Sequence, residues 1–334
     1  MENRNWNEIL DKINENHEIL ITTHIHPDGD GLGSEKAMYN LLKKIGKEPY
    51  ILNPDPLPYE YNFLNRNKIF HHYAENGHAN MLDNYDLIIV VDIGSIIRLG
   101  EVGKQMRDTD TPIVCIDHHS IRHDTFDYEM VDVGVSSTAI LLYDLYKNHF
   151  PQFLNLEIAE ALYTGILTDT GSFRFKNTDY ETMEVATKLI GMGVVPGEIY
   201  NRIYENRLPE QVKLLGLVLQ DINYELGGKI AWFKITNEML EAAGAKAKDI
   251  EGFTDYVRGI RGVEVAVKFV EETDSHTRIN FRSKGNIVIH QLAKQFNGGG
   301  HPYAAGAEIF KNLDEAIADL LPELKKCVQD QIKN

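Results

Sequence analysis

The sequence predicts an α/β protein of two domains, in which the first domain is a doubly wound, mostly parallel sheet. The chain has 334 residues, which is more than one domain usually holds. Short apolar runs alternate with helical patterns over residues 1–205, as in repeated strand–helix–strand units. The runs LIIVV (87–91) and PIVCI (112–116) are apolar throughout, which is typical of parallel strands covered on both faces.

The elements of the first domain follow in order along the chain. EILITTHI (18–25) predicts a strand, and GLGSEKAMYNLLKKIGK (31–47) predicts a helix that stops at Gly46. EPYILN, YDLIIVVDIG and TPIVCIDHH predict three further strands. SSTAILLYDLYKN (136–148) begins with serine caps and has helical periodicity. NLEIAEALYTGILTDTG and TDYETMEVATKLIGMG predict two more helices, each ended by glycine.

The pattern changes after this region. Residues 204–225 predict one exposed helix that connects two domains. KIAWFKIT, VEVAVKFVEET and HTRINFRSK alternate in polarity, which predicts antiparallel strands. A short helix, NIVIHQLAKQF, precedes NGGGHPYAAGAEIF, and an amphipathic helix covers residues 312–330. We therefore expect a first domain over 1–205, a linker helix over 206–225 and a smaller α/β domain with a mixed sheet over 226–334.

Composition excludes several classes of protein. Net charge is −16, so a diffuse basic surface for long duplex nucleic acid is not expected. The two cysteines, Cys115 and Cys327, lie outside any C-x-x-C pattern and predict packing or surface thiols. No stretch has the roughly 18 apolar residues of a membrane span. We expect a cytoplasmic protein that makes no membrane contact, and the sequence leaves a homodimer open.

Acidic and histidine residues recur where the apolar runs end. They are His24, Asp28 and Asp30 after the first strand, Asp92 after LIIV, Asp117, His118 and His119 after PIVCI, and Asp169 in GILTDTGSF. The carboxyl ends of parallel strands share one crevice, so we expect these groups to meet there. Grouped carboxylates repel one another unless a cation lies between them. Carboxylates with imidazoles, and no thiolate, favour Mn²⁺, Mg²⁺, iron or Co²⁺ rather than a structural zinc, and two such ions are the usual device for displacement at phosphorus.

The second domain contains candidate phosphate ligands. GGGHPYAAG is either a glycine-rich turn or a loop whose backbone N–H groups approach a phosphate, with His301 as a further donor. NFRSKG adds Arg282 and Ser283, and DYVRGIRG adds Arg258 and Arg261. Arginine in a strand is usually solvated, but it is also the bidentate ligand of phosphate.

These motifs resemble the DHH phosphoesterases over nearly the whole chain. HIHPDGDGLGS, VVDIGSIIRLG, IDHH and LYTGILTDTGSF are similar to four motifs of the family in the expected order. INFRSKG and LAKQFNGGGHPYAAGA are similar to the DHH-associated domain that follows in this family. The length and DTGSFRF are most similar to the bifunctional oligoribonuclease and pAp phosphatase subgroup.

The resemblance implies a role for each matched position. It implies that His24, Asp28 and Asp92 hold one ion, and that Asp30, Asp92, His118 and Asp169 hold the other, with Asp92 shared. It implies that His119 faces the substrate phosphate or orients the site, and that Asp117 fixes an imidazole. It implies substrate contacts for Arg282, Ser283, Gly299, Gly300, His301 and Arg261. His26 has no role in this pattern, and we expect an exposed loop residue.

The resemblance implies hydrolysis of short oligoribonucleotides to mononucleotides and of 3′-phosphoadenosine-5′-phosphate (pAp) to AMP. We expect two divalent ions, with Mn²⁺ preferred over Mg²⁺ or Co²⁺. The enzymatic alternative is a phosphodiesterase of cyclic or linear dinucleotides. A pyrophosphatase or polyphosphatase fits the Gly-Gly-Gly-His domain less well, and a long single-strand exonuclease is too large a task for this short acidic chain. A non-catalytic nucleotide-binding regulator would lack a ligand, and the sequence lacks none.

Overall fold

The computed structural model describes residues 4–76, 81–119, 126–250 and 252–332. The chain divides into two compact units, Met1–Asn206 and Arg207–Asn334, and each unit is described by itself. Within the described residues, the first unit contains one sheet and the second unit contains another.

The first sheet is entirely parallel. Its strands are β1 (Glu18–Thr22), β2 (Glu48–Asn53), β3 (Phe70–His72), β4 (Leu87–Val91), β5 (Ile113–Asp117) and β6 (Tyr128–Val131). Their order is β3-β2-β1-β4-β5-β6, and every neighbouring pair is parallel. This is the order of a doubly wound fold, so the predicted fold class is confirmed.

Helices connect the strands of the first unit. They are α1 (Asn7–Glu15), α2 (Gly29–Lys44), α3 (Tyr73–Asn76), α4 (Gly100–Gln105), α5 (Thr138–His149), α6 (Leu156–Asp169), α7 (Tyr180–Gly191) and α8 (Pro196–Tyr204). The predicted helices over 31–47 and 136–148 are confirmed, with boundaries shifted by a few residues. Strands β3 and β6 were not predicted, because each has only a few residues.

Alternation along each strand fills two cores, one on each face of the sheet. Ile19 and Ile21 of β1 belong to the larger core with α1, α2, α5 and α6. Leu20 faces the other way and packs in a smaller core with Val102 of α4 and the buried Cys115. Successive side chains of a strand point to opposite faces, so a strand covered on both sides must be apolar at every position. This explains the continuous runs LIIVV and PIVCI.

The second unit has a mixed sheet in the order β11-β12-β10-β9-β8-β7. The strands are β7 (Asn223–Glu225), β8 (Ile230–Ile235), β9 (Val265–Thr273), β10 (His276–Ser283), β11 (Gly299–His301) and β12 (Ala304–Ile309). The helices are α9 (Pro209–Gln220), α10 (Asn237–Ala243), α11 (Phe253–Arg258), α12 (His290–Gln295) and α13 (Leu313–Ile332). The pair β9 and β10 is antiparallel as predicted.

Two predictions for this region differ from the structure. The helix predicted over 204–225 is shorter: α8 ends at Tyr204, and α9 begins at Pro209 after an extended Leu208. Proline restricts the residue before it to extended conformations, which interrupts the helix. Leu214 and Val218 of α9 pack in a core of the second unit, so α9 is not an exposed connector. Strands β8 and β9 are parallel rather than antiparallel, because α10 and α11 lie between them in the chain.

In the described part of the chain, every helix is too short or too polar to cross a bilayer. His26 is an exposed loop residue, as predicted, with 82% of its side chain accessible.

Candidate metal centre

The carboxyl ends of β1 and β4 meet where the strand order reverses. The two strands are neighbours in the sheet, although β2 and β3 lie between them in the chain. Open parallel sheets bind ligands in the crevice at such a reversal. His24 follows β1 and Asp92 follows β4, so both reach this crevice. His24 Nε2 lies 3.5 Å from Asp92 Oδ2 and 3.7 Å from Asp28 Oδ2.

Asp92 has the geometry of a carboxylate shared between two sets of ligands. Its Oδ2 faces His24 Nε2 at 3.5 Å, and its Oδ1 faces His118 Nε2 at 3.5 Å. Its backbone has φ 55°, a left-handed conformation that costs a non-glycine residue on the order of 1–3 kcal/mol. The Asp92 N–H still donates to Ile116 O at 3.1 Å. The sheet therefore holds a strained residue whose carboxylate lies between two imidazoles.

Three carboxylates surround His118. Its Nε2 lies 3.9 Å from Asp30 Oδ2, 3.5 Å from Asp92 Oδ1 and 3.5 Å from Asp169 Oδ2. This nitrogen is buried and has no hydrogen-bond partner. Ligand atoms of Asp30, His118 and Asp169 lie within 4.8 Å of one another, as do those of His24, Asp28 and Asp92. An unpartnered imidazole nitrogen among carboxylates is the donor set of a divalent cation, so these residues fit the metal that the sequence predicts.

Asp30 is anchored by the start of α5. Its Oδ2 accepts a hydrogen bond from Thr138 N at 2.6 Å, and its Oδ1 accepts one from Ala139 N at 2.9 Å. Backbone N–H groups at a helix N-terminus have no partner within the helix and favour an anion. A Cβ on Gly165 of α6 would lie 2.5 Å from Asp30 Oδ1, so only glycine permits this approach. Asp30 is fully buried as a result.

Asp169 corrects one expectation about the site. The sequence analysis grouped Asp169 with residues at the ends of strands, although it predicted a helix for NLEIAEALYTGILTDTG, and Asp169 is the last residue of that helix, α6. Its carboxylate meets His118 because α6 packs against α2, the helix that also carries Asp30. Asn177 Nδ2 donates to Asp169 O at 3.1 Å, which ties the following loop to this helix end.

Asp117 is a buried hub that orients its neighbours. Its Oδ1 lies 2.8 Å from His119 Nδ1 and accepts a hydrogen bond from His118 N at 2.7 Å. Its Oδ2 accepts one from Gly94 N at 3.0 Å. Asp117 therefore fixes the ring of His119 and the loop after β4. The imidazole of His118 is held instead by Val135 O, 3.4 Å from its Nδ1.

The second ring nitrogen of His24 has two contacts. Nδ1 lies 2.7 Å from Ile25 O and 2.9 Å from a terminal guanidinium nitrogen of Arg98. Arg98 belongs to a short 3-10 helix, Ile96–Leu99, that follows Asp92. The sequence analysis assigned no role to Arg98. The signal that could have identified it is its position in VVDIGSIIRLG, six residues after the shared ligand.

The two histidines are strongly basic in this environment. Burial alone would lower the pKa of His24, but hydrogen bonds with Asp28 and Asp92 outweigh burial and raise this pKa to about 10. Burial likewise opposes protonation of His118, and the carboxylates of Asp92 and Asp169 raise its pKa to about 11. A cation among these carboxylates is therefore strongly favoured, whether it is a proton or a metal ion.

The carboxylates differ from one another in acidity. Burial opposes the charge of Asp92, but the neighbouring imidazoles of His118 and His24 hold its pKa well below the ordinary value. Burial, followed by the charges of Asp92 and Asp169, raises the pKa of Asp30 well above the ordinary value. Burial raises the pKa of Asp169 to about 7, although the charge of His118 opposes this shift. Without a compensating cation, Asp92 is thus the carboxylate that keeps its charge most strongly.

Glu35 is a second residue that sequence reasoning missed. It is fully buried in α2, and its Oε2 accepts a hydrogen bond from Asn53 Nδ2 at 2.9 Å. Asn53 Oδ1 accepts one from Thr23 N at 3.4 Å, next to His24. Burial raises the pKa of Glu35 to about 8, although the Asn53 hydrogen bond opposes this shift. Burial therefore favours the neutral form of this carboxyl group, which lies behind the His24 ligand.

The second unit holds the predicted substrate ligands. Arg282 lies on β10 and its guanidinium donates to Phe281 O at 3.2 Å. Ser283 is buried, and its Oγ accepts hydrogen bonds from Gly285 N and Ile287 N, both at 3.3 Å. The structure thus gives Ser283 a role in the turn after β10, which the sequence did not suggest. Arg261 is exposed before β9.

The glycine-rich segment forms the edge strand β11. A Cβ on Gly300, which has φ 131°, would lie 2.6 Å from Ala304 O, so close packing of β11 on β12 requires glycine there. Gly299 differs, because nothing lies within 4 Å of a Cβ built on it. The backbone of His301 belongs to β11, and its side chain lies outside the described part of the structure. Packing therefore explains one of these glycines and not the other.

Two family models match the chain. The model described as the DHH family, N-terminal domain, matches residues 18–166, and the DHHA1 domain matches residues 230–333. The first match contains His24, Asp28, Asp30, Asp92 and His118, and Asp169 lies just beyond its end.

Curated proteins and a solved structure are similar along almost the full length. The bifunctional oligoribonuclease and PAP phosphatase NrnA of Bacillus subtilis is 33% identical over 310 residues, which cover 90% of this chain and 93% of that protein. The protein of the same name from Thermus thermophilus is 33% identical over 309 residues, which cover 92% and 89%. The crystal structure of an exopolyphosphatase-related protein from Bacteroides fragilis matches with a TM-score of 0.87 and 25% identity, covering 98% of this chain and 94% of that one.

Proposed function

We propose a function from the premise that the chain belongs to the DHH family of phosphoesterases, a membership that its relatives establish. The proposed activity is metal-dependent hydrolysis of short oligoribonucleotides to mononucleotides and of pAp to AMP. The observation that carries this proposal is Asp92, whose two oxygens face His24 and His118 at 3.5 Å each. A carboxylate between two sets of ligands is what a two-ion phosphoesterase requires.

The donor set supports two divalent ions. His24 and Asp28 would hold one ion, and Asp30, His118 and Asp169 would hold the other, with Asp92 shared. We propose Mn²⁺ before Mg²⁺ or Co²⁺, because each group contains an imidazole and Mg²⁺ prefers oxygen. When bound, such ions neutralise charge at phosphorus and lower the pKa of water.

The chain's own residues contribute orientation. Asp117 holds His119 through Nδ1, so the ring of His119 has a fixed direction for contact with a phosphate oxygen or a leaving group. The start of α5 holds Asp30, and the strained backbone of Asp92 holds the shared carboxylate. A constellation fixed in this way loses little entropy when the substrate binds.

We also propose that the second unit binds the part of the substrate remote from the reacting phosphorus. Arg282, Arg261, His301 and the backbone of Gly299 and Gly300 are the proposed ligands. Gly299 supports this assignment, because the structure gives no packing reason for glycine there. Ser283 contributes through the turn that it holds.

The test is a substrate panel with the purified protein and Mn²⁺. pAp should yield AMP and phosphate, and a diribonucleotide should yield mononucleotides. A cyclic dinucleotide and pyrophosphate complete the panel and represent the alternatives. If the protein cleaved the cyclic dinucleotide or pyrophosphate but neither pAp nor the diribonucleotide, the proposed substrates would be contradicted. Full turnover after exhaustive chelation would contradict the proposed metal dependence.

A second test separates the chemistry from substrate holding. Arg282→Ala should leave metal binding unchanged, and it should lower kcat/KM for pAp and diribonucleotide by roughly 10- to 150-fold through loss of a charge-assisted hydrogen bond. The loss should be smaller for a small aryl phosphodiester, which lacks the remote group. The matched control is Arg278→Ala on the same strand, because Arg278 pairs with Glu272 at 2.5 Å. Equal losses on both substrates would contradict remote binding by Arg282.

A further inference from the structure

We propose that Arg98 binds a phosphate group of the substrate at the His24 end of the metal centre. This inference rests on the proposed function, since it concerns a substrate with phosphate groups. It assigns a role to a residue that neither the ligand set nor the glycine-rich segment includes.

The first observation is the position of Arg98. Its backbone is tied to the loop that carries His24, because Ile25 N donates to Arg98 O at 2.6 Å. The Arg98 N–H donates to Ser95 O at 2.9 Å, which closes the short helix after Asp92. A terminal nitrogen of the guanidinium lies 2.9 Å from His24 Nδ1. Arg98 is therefore placed by both loops that supply metal ligands at the strand-order reversal.

The second observation is a conflict at one ring nitrogen. His24 Nε2 faces Asp28 and Asp92, so Nε2 is the atom that binds a metal ion. A neutral imidazole that binds metal through Nε2 carries its hydrogen on Nδ1, where a carbonyl oxygen usually accepts it. Ile25 O, at 2.7 Å, is that acceptor. Nδ1 of the metal-bound ring therefore cannot accept from the guanidinium of Arg98, and those N–H groups are left for an anion.

The third observation is the charge around Arg98. Among the described residues, no carboxylate lies within ion-pair distance of its guanidinium, whereas Arg4 pairs with Asp132 and Glu181. A divalent ion on His24 would add positive charge close to this unpaired cation. Such an arrangement is unfavourable unless an anion binds there too. The substrate's phosphate is the anion that the reaction brings to this place.

The chemistry of the two groups agrees with this assignment. Guanidinium presents parallel N–H groups that match two phosphate oxygens, and it stays charged at every relevant pH. Lysine would supply charge without the paired geometry. The side chain of Arg98 is part-exposed, so solvent and ligand can reach it.

The experiment measures metal and anion binding separately, by calorimetry, in the full-length protein. Arg98→Ala should bind Mn²⁺ as tightly as the wild type, because Arg98 contacts Nδ1 of His24 and the metal binds Nε2. When loaded with Mn²⁺, Arg98→Ala should bind AMP and inorganic phosphate roughly tenfold or more weakly than the Mn²⁺-loaded wild type does. Arg98→Lys should lie between the wild type and Arg98→Ala, and it serves if the alanine variant folds poorly. The effect on phosphate binding should disappear in chelator.

Lys104→Ala is the matched control, since it removes one positive charge from the exposed helix α4 in the same unit. It should leave both affinities unchanged. A weaker Mn²⁺ affinity in Arg98→Ala would overturn the inference, because Arg98 would then orient His24 for the metal. Unchanged phosphate and AMP binding would overturn it as well. Absence of turnover in the wild type would instead count against the proposed function, since neither binding measurement depends on catalysis.

Discussion

The two halves of the metal centre share one carboxylate but lie in different surroundings. We call His24 and Asp28 the His24 side, and Asp30, His118 and Asp169 the His118 side. On the His24 side, 51% of the Asp28 side chain is exposed. On the His118 side, Asp30 is fully buried and both of its oxygens accept backbone hydrogen bonds. Asp28 can exchange its contacts with water, and Asp30 cannot.

The difference in exposure and hydrogen bonding indicates which side is held in place before an ion binds. Asp28 Oδ1 caps α2, accepting from Asp30 N at 3.0 Å, and its Oδ2 faces His24. Water can replace either contact at an exposed carboxylate. On the His118 side, the start of α5 holds Asp30, and Asp169 is the last residue of α6. We therefore expect the His118 side to bind its ion more tightly, and the His24 side to be the one that exchanges ions.

The largest expected effect comes from breaking both sides together. Asp92→Ala removes the shared carboxylate, so both ions should bind weakly and pAp hydrolysis should fall. The fall should exceed the roughly 10- to 100-fold that loss of an outer partner of a metal ligand costs. Metal counting by elemental analysis and a hydrolysis assay would measure it, with Asp110→Ala as an exposed control in the same unit. Two ions still bound in Asp92→Ala would contradict the shared role.

The dependence of metal affinity on pH is the next largest effect. In the metal-free protein the pKa of His24 is raised to about 10 and that of His118 to about 11. Each ion must displace a proton from its imidazole, and the ion on the His118 side must also displace the protons that Asp30 and Asp169 hold, so affinity should increase about tenfold per pH unit for each proton displaced. Calorimetry with Mn²⁺ between pH 6 and 8, in buffers of different ionisation enthalpy, would count these protons. His24→Ala should remove one of them.

An affinity that does not change with pH in this range would show that the imidazoles are already neutral without metal. A slope that His24→Ala leaves unchanged would assign the displaced proton to the His118 side alone. Either result would identify which half of the centre exchanges protons for metal.

The parallel sheet and the strand-end ligands could be predicted from the sequence, for a physical reason. A strand covered on both faces must be apolar throughout, so LIIVV and PIVCI are visible without a structure. Polar residues that follow such runs must lie at the carboxyl edge of the sheet, which places Asp92 and His118 together. Both signals, the apolar run and the polar residue that follows it, can be recognised within a short stretch of sequence.

The parts that could not be predicted depend on packing between distant segments. Glu35 and Lys36 are adjacent charged residues in α2, and charged residues usually lie in solvent. Both side chains are buried here, because α6, the sheet and the 3-10 segment Tyr59–Asn65 surround α2. Asp169 reaches His118 only through the packing of α6 on α2. Arg98 meets His24 through two loops that are remote in sequence, and no local pattern encodes that contact.

Glu35 offers a test confined to the interior behind the His24 side. Its raised pKa, about 8 against an ordinary 4.5, means that the folded protein holds this proton more tightly than the unfolded chain does. That contribution to stability is fully present below pH 4.5 and is lost as pH rises through about 8. Glu35→Gln keeps the shape of the side chain and cannot ionise. Its free energy of unfolding, relative to that of the wild type, should therefore increase by roughly 2–4 kcal/mol when the pH is raised from 5.5 to 8.5.

Urea unfolding in chelator at those two pH values would measure the difference. Glu101→Gln is the control, because 59% of the Glu101 side chain is exposed. The shifts of groups that do not interact with Glu35 are common to the wild type and both variants and cancel in the comparison, and the charge interactions of Glu35 with His24 and Asp92 are part of the measured difference. A pH-independent difference between Glu35→Gln and the wild type would mean that Glu35 titrates normally.

The smallest effect concerns the two aspartates that differ most between the sides. Asp30→Ala leaves the N–H groups of Thr138 and Ala139 buried without acceptors, which should lower the free energy of unfolding by about 1–3 kcal/mol. Asp28→Ala removes a cap from α2, but water can reach the freed N–H groups, so the loss should be about 0.5–1 kcal/mol. Urea unfolding in chelator would compare the two variants without a contribution from bound metal.

The relative order of these two losses tests the comparison itself, because both residues are aspartates that accept helix N-terminal hydrogen bonds. Asp28→Asn and Asp30→Asn extend the test, since asparagine keeps one acceptor and removes the charge. Asp28→Asn should restore the cap fully. Asp30→Asn should restore stability only in part, because its NH₂ group faces a backbone N–H where Asp30 offered a second oxygen. Equal losses for Asp28→Ala and Asp30→Ala would mean that exposure does not distinguish the two sides, and the expected difference in metal affinity would lose its physical basis.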